Sequence, residues 1–412
     1  MLGQVGIDPG VRPTGGVDTV YAVRDTTRVA IIGAGPAGLT LASLLQRRGI
    51  GCIVLEARDR SRVEERQRAG LLDHYGGQIF EEAGLAGEVL AGAPAQTLFE
   101  FRTDGAPRFL DLPTLSGGRT GRLVPQQLLV RRLLATFLAG GGDLRFEALE
   151  VALHDLDGDT PRVTYRDPDG TEHEIACAYV AGCDGFHGAS RRSIPEAALT
   201  TYTFDHGIAW YTVLADAPAP RYPLMGVSRH GFAAQFGRGP HASRFYLQYR
   251  PGDEPRKWPD EHAWEQLRLR LGAPGLGGTI TEREIVEMRS FVVEPMAYGR
   301  LFLVGDAAHI ITPMGAKGMN LAIADAHLLA GALTEAEHGD GSALAGYSAA
   351  CLRRTWDYQE FSRWFTEMVH DAGDDTDAGP FRRRLAQARL DRLFASPPAA
   401  VAFADMMAGT TY

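Results

Sequence analysis

The stretch that most constrains this chain is an apolar run that enters a glycine-rich turn and leaves as a helix, Arg28-Val29-Ala30-Ile31-Ile32-Gly33-Ala34-Gly35-Pro36-Ala37-Gly38. A helix is expected over Leu39 to Gln46, and a second apolar run, Ile50 to Leu55, ends at Glu56. In such a turn Gly33 allows the tight bend, Gly35 lets the main chain approach a pyrophosphate, and Gly38 allows close helix–strand packing. Pro36 and Ala37 stand where the helix N-terminus offers free N–H groups and a partial positive charge to phosphate. Glu56, 18 residues beyond Gly38, is spaced to accept hydrogen bonds from ribose hydroxyls. A glycine triplet alone is often only a turn. With both runs, the helix and the acid in register, the segment reads as a dinucleotide-binding βαβ unit.

At 412 residues the chain exceeds one ordinary hydrophobic core, so two domains are expected. The hydrophobic share of 45% and charged share of 23% fit a globular protein, and the net charge of −9 argues against general affinity for nucleic acid. No run approaches the roughly 18 apolar residues of a membrane helix. Residues 1–25 are rich in Gly and Pro and lack an apolar core, so they read as an N-terminal extension rather than a signal peptide. Cys52, Cys177, Cys183 and Cys351 lack metal-like spacing; no metal site is expected, and they read as reduced core residues of a cytoplasmic protein.

Further along, Arg58 to Arg68 is crowded with charge and reads on composition as a solvated face. Leu128 to Ala139 has helical periodicity, and Leu144 to Tyr165 alternates as strand pieces broken at Asp155-Leu156-Asp157-Gly158-Asp159. A Pro- and Gly-rich change of character at Ala215 to Pro223 leads into alternating segments, Phe232 to Phe236 and Arg244 to Tyr249, that predict an antiparallel sheet. Apolar strands recur at Ala178 to Gly182 and Arg300 to Val304, and long helices are expected at Met319 to Leu333 and Gly346 to Val369. Nucleotide-binding signals thus flank the sheet-rich middle. The expected fold class is α/β, with a Rossmann-like domain formed by 26–200 and 285–372 and an inserted, mainly antiparallel sheet domain at 201–284. A C-terminal helical segment follows at 373–412.

Three more motifs follow the first in order. Ala181-Gly-Cys-Asp-Gly-Phe-His-Gly ends a strand, Arg289-Ser-Phe-Val-Val-Glu-Pro-Met precedes the next, and Gly305-Asp-Ala-Ala-His-Ile runs into Pro313-Met-Gly-Ala-Lys-Gly-Met-Asn. In this combination the chain resembles the para-hydroxybenzoate hydroxylase family of single-component flavoprotein aromatic hydroxylases, from about residue 28 to about residue 370. The resemblance implies FAD as cofactor, NADPH or NADH as co-substrate, and O2. It implies that Glu56 meets the adenosine ribose, that Arg66 and Arg68 line the pyrophosphate and the nicotinamide cofactor, and that Gln126 and Asp184 lie at the FAD site. Asp306, Met319 and Asn320 fall on positions around the ribityl chain and flavin ring; His187 and Arg289 match residues that help hold NADPH. Arg58 could aid a 2′-phosphate, but Ala57 stands where the family carries arginine. A homodimer is compatible with the family.

The family holds a benzoate carboxylate on its inserted sheet. Arg238 and Tyr246 match two of the holding positions and the third, a serine, is Phe236. A guanidinium suits a carboxylate because it donates two parallel hydrogen bonds. Pro313 matches a proline whose carbonyl lies beside the reacting ring, and is the residue assigned here to catalysis. The two tyrosines that deprotonate the substrate phenol are not evident: their positions fall near Met225 or Gly226 and near Arg392-Leu393, and Tyr222 fits only if the loop is displaced. Asp205, His206 or His230 could replace them as a local base. The expected reaction is hydroxylation of a 4-hydroxy- or amino-substituted benzoate ortho to the donor group, with 4-hydroxybenzoate and 3-amino-4-hydroxybenzoate as leading substrates. The alternatives are a hydroxylase of a larger phenolic natural product and a non-catalytic flavin redox sensor.

Overall fold

The computed structural model describes residues 23–65, 70–239, 241–249, 253–370 and 378–410. The apolar run at Val29 is the end of a longer strand, Val23–Ile32, paired in parallel with Cys52–Leu55 on one side and Glu172–Gly182 on the other. Leu301–Leu303 and Asp143–Arg145 continue the parallel set outward. The strand thus starts inside the segment expected to be an extension. Its first half is polar and shows no apolar run, yet its side chains find partners: Arg24 pairs with Glu174 at 3.3 Å and Asp25 with Arg145 at 2.7 Å. The antiparallel strands Leu149–His154, Arg162–Arg166 and Ala297–Tyr298 complete this eight-stranded sheet. Helices Pro36–Arg47, Gln126–Ala139 and Lys317–Glu337 pack with it into one continuous apolar core.

The second sheet also has eight strands, all antiparallel except for one pair. Its centre is Thr200–Asp216, Ser243–Tyr249, Gly231–Gly237 and Leu224–Ser228, with Thr279–Glu294 alongside. The hairpin Leu98–Thr103 and Ala106–Asp111, far earlier in sequence, joins the edge through the single parallel pairing with Leu224–Ser228. The sequence boundaries place that stretch in the first domain, 26–200, whereas its strands pair with the second sheet. It is recruited because Phe99 and Phe101 bury one face against the second sheet's core.

Side-chain alternation gives the second sheet two coats. Ala233, Phe245 and Leu247 pack under helix Asp260–Leu271. On the opposite face, Trp210, Met225, Phe232, Ala234 and Tyr246 pack with the helix Ser342–Val369 and with the C-terminal helices Ala378–Ala395 and Pro397–Ala408. A fully buried Lys317 ties these parts together, its Nζ donating to Asp73 Oδ2 at 2.9 Å and to the Met407 carbonyl at 3.1 Å. The four cysteines are unpaired. Among the described residues no helix is long and apolar enough to cross a membrane.

Candidate functional site

The glycine-rich turn is built as its spacing requires. Gly33 has φ +104°, and a Cβ there would lie 2.4 Å from the Cys183 carbonyl oxygen. A Cβ on Gly38 would lie 1.9 Å from the Gly33 oxygen, so helix and turn touch main chain to main chain. Gly35 differs: it precedes Pro36 at the helix N-terminus without a side-chain cap, and a Cβ on it would meet nothing within 4 Å. The space above Gly35 and the uncapped first turn, at Ala37 and Gly38, form a cradle that a pyrophosphate would fill. Half-buried Glu56 stands beside it, Oε2 accepting from the Ala34 N–H at 2.8 Å and Oε1 from the Arg58 N–H at 2.9 Å. These bonds fix the carboxylate across the turn and leave further lone pairs for hydroxyl donors. Arg60 pairs with Glu64 on an exposed helix turn, as a solvated face should. Arg66 and Arg68 lie outside the described residues.

Gly305 faces the same cradle: its φ is +63°, and a Cβ there would lie 2.8 Å from Ala322 Cβ and 3.5 Å from Ala37 Cβ. Asp306 follows it, half-buried between the buried Gly305 and Ala307. Met319 is half-buried in the first turn of the helix Lys317–Glu337, and Gln126 is half-buried at the start of Gln126–Ala139. Two residues expected at the cofactor have side-chain partners within the protein. Asn320 spends its side chain internally, Nδ2 donating to the Leu71 and Ala316 carbonyls at 2.9 and 2.8 Å and Oδ1 accepting from the Asp73 N–H at 3.0 Å. Asp184 turns back into its own loop, Oδ2 accepting from the Ser190 N–H at 2.8 Å and the Ser190 hydroxyl at 2.9 Å. Burial pushes its carboxyl up, against those bonds. Asn320 thus braces the site from within, whereas Asp184 braces its loop through Oδ2 and keeps a buried Oδ1 without a hydrogen-bond partner.

His187 and Arg289, about a hundred residues apart, meet around one ring. The Arg289 guanidinium carbon sits 4.2 Å from the centre of Phe186, and the exposed His187 ring lies edge-on to Phe186 at 4.9 Å. Arg191, which the sequence reading did not single out, lies between Phe186 and Phe291, 4.7 Å from each ring. It donates through Nη1 to the Ala307 carbonyl at 2.8 Å, so the cationic cluster touches the Asp306 turn.

On the second sheet, Phe236, Arg238 and Tyr246 share one face. The Phe236 and Tyr246 rings meet edge-on at 5.7 Å, and Tyr246 packs on Trp210 at 4.8 Å. Arg238 is half-buried, but its Nη2 atom is sealed from solvent and has no hydrogen-bond partner. Burial lowers the Arg238 pKa, with the nearby Tyr246 hydroxyl opposing and Arg244 reinforcing that direction. A sealed donor without an acceptor is costly in the free protein, and a carboxylate is the partner its geometry suits. Pro313 is exposed, and its carbonyl accepts from the Ala316 N–H at 3.1 Å.

The groups weighed as a replacement base are all engaged elsewhere. Asp205 is exposed and accepts from Gly207 N–H; His230 is exposed and bonded to Arg229; His206 bonds Ser290 Oγ at 3.0 Å. Tyr222 packs outside, edge-on to exposed Phe109 at 6.1 Å. A residue that sequence reasoning missed does line the face: His370, whose Nε2 accepts from Trp210 Nε1 at 2.7 Å and whose Nδ1 donates to the Thr366 carbonyl at 2.9 Å. Burial first of all drives its pKa down to about 3, so it is a neutral fixture with both nitrogens in use.

This is the fold of a dinucleotide-cofactor enzyme with a second sheet set against the cofactor domain. The chain matches the FAD binding domain family over residues 26–362. It is 35% identical to the p-hydroxybenzoate hydroxylase of Acinetobacter baylyi over 94% of this chain and 96% of that protein. It is 29% identical to the 3-amino-4-hydroxybenzoate 2-monooxygenase of Streptomyces platensis, over 82% of this chain and 87% of the relative. In fold it is similar to the p-nitrophenol 4-monooxygenase of Pseudomonas putida, with a TM-score of 0.78 at 18% identity, covering 94% of this chain and 100% of the other. The chain belongs to the FAD binding domain family and, within it, to the flavoprotein hydroxylases similar to p-hydroxybenzoate hydroxylase. It is an FAD-dependent aromatic monooxygenase.

Proposed function

We propose that the enzyme hydroxylates a benzoate bearing a para hydroxyl or amino group, ortho to a donor substituent, with NADPH as reductant. The single observation that carries this reading is the sealed, partnerless Nη2 of Arg238 beside Tyr246 on an otherwise apolar face. A benzoate carboxylate satisfies that donor while its ring lies against Phe236 and Tyr246. When bound, FAD supplies reduction by the nicotinamide cofactor and activation of O2, delivering one oxygen atom to the ring and the other to water. Gly35 and the first turn of the helix Pro36–Arg47 would hold the pyrophosphate, Glu56 the ribose, and His187 and Arg289 would receive the nicotinamide cofactor. Pro313 would present its main chain beside the substrate ring.

The substrate preference follows from what the pocket lacks. Met225 and Leu393, at or beside the positions of the family's phenol-deprotonating tyrosines, are buried apolar residues of the same cluster as Tyr246. His370 is held neutral and hydrogen-bonded on both nitrogens, so it takes no proton from a phenol at neutral pH. A ring that must be electron-rich without being ionised favours an amino donor, which supports 3-amino-4-hydroxybenzoate over plain 4-hydroxybenzoate. Measuring NADPH oxidation coupled to hydroxylated product for both compounds tests this; efficient turnover of 4-hydroxybenzoate alone overturns the preference. Arg238→Ala should weaken substrate binding by about 2–5 kcal/mol with unchanged flavin content. Unaltered substrate affinity in that variant refutes the carboxylate anchor.

A further inference from the structure

We propose that Arg244 is a second substrate-carboxylate residue, sharing the anion with Arg238, and that Glu284 holds it in place and sets the charge of the site. The inference rests on the reading of Arg238 as the carboxylate anchor and extends it to a two-guanidinium site for an aromatic monocarboxylate. Arg244 lies on the strand Ser243–Tyr249, two residues before Tyr246 and so on the same face, directly opposite Phe236 on the neighbouring strand. Its guanidinium carbon is 5.8 Å from the centre of the Tyr246 ring. Burial first of all lowers the Arg238 pKa; the Tyr246 hydroxyl opposes and the Arg244 charge adds to the fall, so both guanidiniums stand around one tyrosine. Arg244 is only 7% exposed, and its Nε is sealed without a hydrogen-bond partner. Two sealed donors, Arg238 Nη2 and Arg244 Nε, thus belong to like charges gathered beside one ring.

Such an arrangement is costly in the protein alone, because each orphaned donor forfeits a hydrogen bond and the two charges repel. One carboxylate, with two oxygens to accept, relieves both costs at once. Arg244 Nη2 donates to Glu284 Oε2 at 2.8 Å and reaches Thr212 Oγ1 at 3.5 Å. The Glu284 side chain is 60% exposed against 9% for that of Arg244, so the pair runs from the rim inward. An ion pair open to water on one side contributes little to stability. What it does is fix one edge of the Arg244 fork and leave the Nε edge for another acceptor. The two guanidiniums and the Glu284 carboxylate together leave one positive charge, and a single substrate carboxylate cancels it.

Titrations of the FAD-loaded full-length enzyme with 4-hydroxybenzoate and with its neutral analogue 4-hydroxybenzamide, followed by the change in flavin absorbance, test this. The readout is the ratio of the two dissociation constants, because a residue that only supports the fold weakens both ligands alike. Arg244→Met should lower the preference for the acid about tenfold or more, the loss of one charge-assisted hydrogen bond, and leave the amide within about twofold of the parent. The variant should fold, since Glu284 simply returns to water. Glu284→Gln keeps an oxygen for Arg244 Nη2 but removes a negative charge beside the ligand, and should raise the preference for the acid about threefold. Equal weakening of both ligands in Arg244→Met, or an unchanged preference in it, overturns the proposal. Should Arg244→Met not fold, an unchanged preference in the exposed Glu284→Gln overturns it equally. An unchanged preference in Arg238→Ala refutes the Arg238 anchor by itself, a failure distinct from any at Arg244.

Discussion

His370 offers a measurement in which sign and size both follow from the structure. Its ring is buried against Phe232 at 4.4 Å, accepts from Trp210 through Nε2 and donates to Thr366 through Nδ1. Burial lowers its pKa from 6.5 to about 3, the Thr366 hydrogen bond opposing and His206 adding to the fall. The unfolded chain takes up a proton on this histidine as pH drops through about 6.5, while the native protein refuses it until about pH 3. Stability from this group is therefore complete above pH 6.5 and is lost progressively as pH falls toward 3. At about 1.4 kcal/mol per pH unit the whole interval is worth about 5 kcal/mol, and about 2 kcal/mol is already gone at pH 5. His370→Gln cannot titrate and keeps an oxygen for the Trp210 N–H. Urea denaturation of both proteins at several pH values should show the parent's advantage shrinking by about 2 kcal/mol between pH 7.5 and 5. A pH-independent difference, or a native His370 imidazole titrating near 6.5 by NMR, refutes the reasoning. The second result would also make His370 competent as a base and reopen the question of how the substrate phenol is activated.

Two further outcomes are expected. Gly35→Val should abolish FAD binding without disturbing the fold, because a Cβ there would meet no protein atom within 4 Å and the branched side chain would enter the pyrophosphate space; a folded variant that purifies yellow refutes the cradle. Arg289→Ala should raise the apparent KM for NADPH about tenfold while FAD content stays unchanged, since exposed Arg289 rests on Phe186 and not on the FAD cradle. Equal anaerobic flavin reduction by NADH and NADPH at equal concentration refutes the proposed cofactor preference.

The sequence by itself determined what is local. Gly33, Gly35 and Gly38 could be read because only glycine tolerates the positive φ at Gly33 and the close approach at Gly38, and those demands arise within a few residues. The alternation in Phe232 to Phe236 and Arg244 to Tyr249 told strand from helix, and the structure pairs these segments antiparallel. The family motifs carried Arg238 and Tyr246 to one face. What only the tertiary structure decided is how each polar side chain spends its hydrogen bonds. Asn320 and Asp184 carry the residue types of ligand contacts, but their partners are Leu71, Asp73, Ala316 and Ser190. Trp210 meets His370 across 160 positions of sequence, and the hairpin at 98–111 crosses to the second sheet. Such pairings leave no periodic trace in a chain, because a side chain's type states what it can bond and only the packed fold states what stands within reach.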